Sequence, residues 1–89
     1  MININSELPS SSRANFSKEE LMQKAFKLHS QGNLLEAENF YQHFIKQGFH
    51  DPILFSNFAI LLKEIGKLKE AEKFINLSIE MKPDYAQAY

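Results

Sequence analysis

Gly32 to Phe40 reads GNLLEAENF, and Gly66 to Phe74 reads GKLKEAEKF, the same phrase written twice at an interval of 34 residues. The register extends beyond the phrase. Ala25 matches Ala59, Leu34 matches Leu68, Ala37 matches Ala71 and Phe40 matches Phe74. A fixed period of this length belongs to architectures built from one repeated supersecondary unit. A pair of short helices cannot bury its apolar face alone, so each copy leans on the next. Small residues at positions 25, 37, 59 and 71 fit places where two helices cross closely.

The local signals divide each copy into two helices. Ser17 can cap a first helix, and Glu20 can complete a capping box. Leu21, Met22, Ala25, Phe26 and Leu28 follow at helical spacing, and the helix runs to about Gln31. Gly32 supplies a left-handed stop. Asn33 is read as the next cap, ahead of an apolar face of Leu34, Ala37, Phe40, Tyr41, Phe44 and Ile45. Gly48 ends that helix. The pattern restarts with Asp51 as cap and Pro52 at the first helical position. Ile53, Leu54, Phe58, Ala59, Leu61 and Leu62 make the third helix, ending at Gly66, with Ile53 on its non-core stripe. Leu68, Ala71, Phe74, Ile75, Ser78 and Ile79 make the fourth, and Pro83 stops it. No segment alternates with period two over a useful length, so the expected class is all-α.

Residues 1–17, rich in Ser and Asn and lacking a hydrophobic period, read as a flexible tail. The units are placed at 18–51 and 52–85, and 86–89 opens a third. From KPDYAQAY at the end, the sequence is expected to be part of a longer repeat array, since about three units are needed for a stable stack.

Composition narrows the function. The 89 residues suit one small domain. Without Cys there is no disulfide and no thiolate metal site. A net charge of −1 gives no footprint for nucleic acid and no basic patch for a membrane. No apolar run is long enough to span one. The expectation is a soluble, cytoplasmic protein with no nucleic-acid or membrane partner. His29, His43 and His50 lie on separate elements, and no carboxylate pair accompanies them at ligand spacing. The glycines are isolated helix stops rather than a phosphate loop. No nucleophile–base pair stands out. Catalytic, cofactor and metal sites are therefore expected to be absent, and the chain is read as not an enzyme.

At this point the sequence resembles the tetratricopeptide repeat family, over about Lys18 to Tyr89. The second unit carries the resemblance, with Asn57, Ala59, Gly66, Ala71, Ser78 and Pro83 where the family pattern has such residues. It looks most like the repeats of O-linked N-acetylglucosamine transferases and of bacterial repeat proteins. The first unit departs from the pattern. Phe44 replaces a small residue, Phe49 a proline, and Leu21 a larger residue. The resemblance implies a short right-handed solenoid whose concave face is lined by the first helix of each unit.

The implied function is non-catalytic protein–protein interaction, with a peptide or protein segment held on that face. The candidate residues are Met22, Gln23, Phe26 and His29 on the first helix and Ser56, Asn57, Ile60, Lys63 and Glu64 on the third. In the transferase-type repeats an Asn at the place of Asn57 bonds an extended peptide backbone, which suits a side chain offering both donor and acceptor. The carboxylate-clamp branch of the family is set aside, because Met22 and Phe26 occupy the clamp positions. The chain's own downstream domain is a second candidate partner, and self-association through an open C-terminal face a third. The alternative is the N-terminal repeat region of a larger enzyme, such as a glycosyltransferase, methyltransferase or sulfotransferase.

Overall fold

A computed structural model describes residues 16–81. The residues before and after, including most of the tail and the opening of the third unit, lie outside the described residues. Four helices follow one another: α1 (Lys18–Ser30), α2 (Leu34–Lys46), α3 (Pro52–Glu64) and α4 (Leu68–Met81). Among the described residues there is no strand. Helices α1 and α2 pack as one antiparallel pair and α3 and α4 as a second, while α3 also packs across α1 and α2. Among the described residues the two pairs stack as a helical repeat solenoid, an arrangement compatible with the tetratricopeptide fold.

The helix starts follow their caps. Ser17 Oγ accepts the Glu20 amide at 3.1 Å, and Glu20 Oε1 accepts the Ser17 amide at 2.9 Å, so the reciprocal box is complete. Asp51 accepts the Leu54 amide at 2.9 Å, and Pro52 follows at the first helical position. Asn33 differs from expectation: its side chain makes no capping bond. The reason lies in how α1 ends. The Gly32 amide donates to the His29 carbonyl and the Asn33 amide to the Leu28 carbonyl, a Schellman closure. That closure commits the Asn33 backbone to φ −83°, ψ 71°, outside the extended geometry of a cap.

The same closure recurs one unit later, with Gly66 donating to Lys63 and Lys67 to Leu62. Gly66 sits at φ +88° with nothing within 4 Å of where a Cβ would stand. The cost of a side chain there is conformational alone. Gly66→Ala is expected to destabilise the chain by about 1–2 kcal/mol, read from the urea midpoint at unchanged m-value.

The core is Leu21, Ala25, Ala37, Phe40, Tyr41, Phe44, Leu54, Phe55, Phe58, Ala59, Leu61, Leu62 and Ala71. Two face assignments are corrected. Leu68 is 63% exposed, whereas Phe55, absent from the expected face, is buried. Ile53 shares an outward stripe with Ile60, two turns on, and Phe55 turns inward to meet Phe44 and Phe74. Phe16 stands directly before the Ser17 cap and packs on the core, its ring 6.3 Å from that of Phe40.

Candidate interaction surface on α1 and α3

Two kinds of position lie on the α1–α3 face. The first is tied into the junction between the units. His29 bridges three helices: Nδ1 lies 2.9 Å from the Tyr41 hydroxyl of α2, and Nε2 lies 2.9 Å from Glu64 Oε1 at the end of α3. The carboxylate only accepts, so Nε2 carries a hydrogen and donates to Glu64. In the neutral ring Nδ1 then accepts the Tyr41 O–H. The separation of His29 from Glu64 is one repeat plus one residue, so the bond joins equivalent helices of adjacent units. This partnership was missed from sequence. The 34-residue period could have indicated it, because it sets α1 and α3 side by side.

Tyr41 is fully buried, and its ring stacks on Phe58 at 4.9 Å with planes 16° apart. Burial, and after it the charge of Glu64, pushes the Tyr41 hydroxyl well above the usual tyrosine range. A tyrosine whose proton is held more tightly in the fold makes the unfolded chain the poorer proton binder at alkaline pH. Stability therefore falls as pH rises past the ordinary value near 10, by up to about 1.4 kcal/mol per pH unit. Lys67, whose proton is held by its hydrogen bond to Glu38, acts in the same direction. The difference between the parent and Tyr41→Phe isolates the tyrosine: the variant's urea midpoint should decline less steeply between pH 9.5 and 11.

Met22 and Phe26 belong partly to this inner set. Both are half-buried and pack against the core, and the Phe26 ring lies 6.3 Å from Tyr41. Ser56 is also engaged. Ser78 Oγ donates to the Pro52 carbonyl at 2.8 Å, so the Ser56 hydroxyl donates to Ser78 Oγ at 3.0 Å.

The second set faces outward. Gln23, Ile60 and Lys63 are exposed and Asn57 is half-buried. Ile60, at 49% exposure, is an apolar side chain open to solvent. The expected stripe thus separates into a junction part (Met22, Phe26, His29, Ser56 and Glu64) and an outward part (Gln23, Asn57, Ile60 and Lys63). Among the described residues no group of His, Asp and Glu has the arrangement of a metal site, and no helix is long and apolar enough to cross a membrane.

The chain is 29% identical over 92 aligned positions to the mitochondrial import receptor subunit TOM70 of Saccharomyces cerevisiae, in strains YJM789 and ATCC 204508 / S288c. The alignment takes in 97% of this chain but only 15% of the receptor subunit. No protein-family model matches the chain, and no solved structure does.

Proposed function

We propose that the chain is a non-catalytic interaction module that holds a segment of a protein partner along the outward stripe of α1 and α3. The observation that carries this reading is the placement of Gln23, Asn57, Ile60 and Lys63. They leave amide, apolar and cationic contacts open on two helices that pack side by side. Amide side chains suit an extended backbone because each offers a donor and an acceptor. Ile60 supplies an apolar contact beside them. The resemblance of Asn57 to the groove asparagine of transferase-type repeats points the same way. So does the likeness to an import receptor subunit, a protein whose name states a receptor role.

The test is a displayed library of random extended peptides selected on the full chain. Enriched peptides should bind Asn57→Ala and Ile60→Ser each about 5- to 30-fold more weakly, the scale of losing one interfacial hydrogen bond or one buried aliphatic contact. Selected peptides that bind both variants as tightly as the parent would refute the stripe as the site.

A further inference from the structure

Between the two helix pairs, on the side of α4 turned toward the first unit, lies a cleft of about 230 Å³. Its apolar walls are Ile45 of α2, Phe49 of the α2–α3 connection, Phe55 of α3, and Phe74 and Leu77 of α4. Phe49 stands where the repeat pattern has proline, and its ring leans on that of Phe44 at 5.5 Å, which fixes it in place. Phe55 is buried and meets Phe74 at 5.6 Å. The other walls are only half-buried, so they leave apolar surface facing the cleft.

Two basic side chains join these walls. Lys73 Nζ lies 5.6 Å from the centre of the Phe74 ring, and among the described residues no carboxylate pairs with it. The His50 ring stands edge-on to Phe55 at 6.1 Å. No Asp or Glu lines the cleft. Asp51, next to His50 in the chain, is turned to the Leu54 amide as the cap of α3.

The repeat alone does not make such a cleft, because the first unit lacks its chemistry. One period earlier Asn39 stands for Lys73 and His43 for Leu77, and His43 Nε2 lies 3.2 Å from the Gln47 amide nitrogen. Phe16 stands for His50, and its ring packs by Phe40, the equivalent of Phe74. Phe40 is 2% exposed, whereas Phe74 is half-buried. The apolar walls and the cation thus belong to this junction in particular.

We infer that this cleft binds a small aromatic carboxylate. An apolar cavity of about 150 Å³ suffices to hold benzene, so the cleft takes one ring with a short tail. Phenylalanine walls suit a ring, since tilted and edge-on contacts add to the gain from buried area. The carboxylate stays at the rim, where burial costs little, with Lys73 as its cation and the His50 imidazole offering an N–H.

The test titrates the full 89-residue chain with phenylpropionate and with its amide, which keeps the ring and tail but carries no charge. Saturable binding of the acid in the millimolar range is expected, as suits so small a ligand. NMR shift changes should centre on Phe49, Phe55, Phe74 and Leu77. The amide should bind about 2- to 5-fold more weakly, the scale of a partly exposed charge pair. Lys73 is exposed, so Lys73→Gln should leave the thermal melt unchanged and should bind acid and amide alike. The inference is overturned by shifts that never saturate, by shifts centred elsewhere, by equal binding of acid and amide to the parent, or by an acid preference that survives Lys73→Gln. The cleft shares no residue with the outward stripe of α1 and α3, so this outcome is independent of the extended-peptide selection.

Discussion

Phe58→Ala is expected to remove most of the stability of this chain. Its ring is fully buried between Tyr41 and Phe74, with centroids 4.9 Å from each. One of these neighbours belongs to the first unit and the other to the second, so the ring is the wedge that makes two helix pairs one body. Truncating a buried phenylalanine costs about 3–5 kcal/mol, including the cavity left behind. A domain of this size holds roughly 5–10 kcal/mol in total. The midpoint of thermal unfolding should fall by about 15–30 °C, and at 37 °C a large fraction of the variant should be unfolded by circular dichroism. A fall of only a few degrees would show that the units do not depend on one another through this ring.

Exchanging equivalent residues between the units should be costly in both directions, although each residue is already in use one period away. Phe44 and Ser78 are such a pair, and both are fully buried. Phe44 fills the space between the units, with its ring 5.5 Å from Phe49 and edge-on to Phe55 at 6.5 Å. Phe44→Ser should cost about 3–5 kcal/mol as a large-to-small core change. Ser78 instead ties α4 to the first turn of α3 through Pro52 and Ser56. Ser78→Phe has to displace that turn, at about 1–3 kcal/mol for overpacking and about 1 kcal/mol for the broken hydrogen bonds. Both sites bear on the start of α3, Phe44 through Phe55 and Ser78 through Pro52 and Ser56, so the double variant measures their coupling. Denaturant titration of the three variants measures this, and a double variant as stable as the parent would show that the positions interchange freely.

The period was the most legible part of this protein, because it needs only identity of residue type at a fixed offset. Helix starts at Ser17 and Asp51 could be read for a similar reason: a side chain bonding a backbone amide three residues away is a local event. The Asn33 cap could not, since the closure of the preceding helix had already fixed its backbone. Faces were legible in proportion to how little they depended on neighbours. The small residues at 25, 37, 59 and 71 belong to a crossing within one unit and were recovered. Leu68 and Phe55 were not, because whether an apolar residue at a helix start turns in or out depends on which helix lies beyond it. The candidate stripe was legible as a set of positions. Its division into junction and outward residues was not, because His29, Phe26 and Met22 are drawn inward by partners on other helices. The departures of the first unit also make sense in three dimensions: the Phe44 and Phe49 rings pack against each other at a tilt, so two unusual residues complete one contact.

The central claim is that α3 fills the groove of the first unit through the Phe58–Tyr41 stack. A double-mutant cycle on Tyr41→Leu and Phe58→Leu, which keep the core apolar and the chain folded, tests it most directly. The stack should appear as a coupling of about 0.5–1.5 kcal/mol between the two residues. Strictly additive losses would mean that the two rings do not meet and that the units are not stacked in this way.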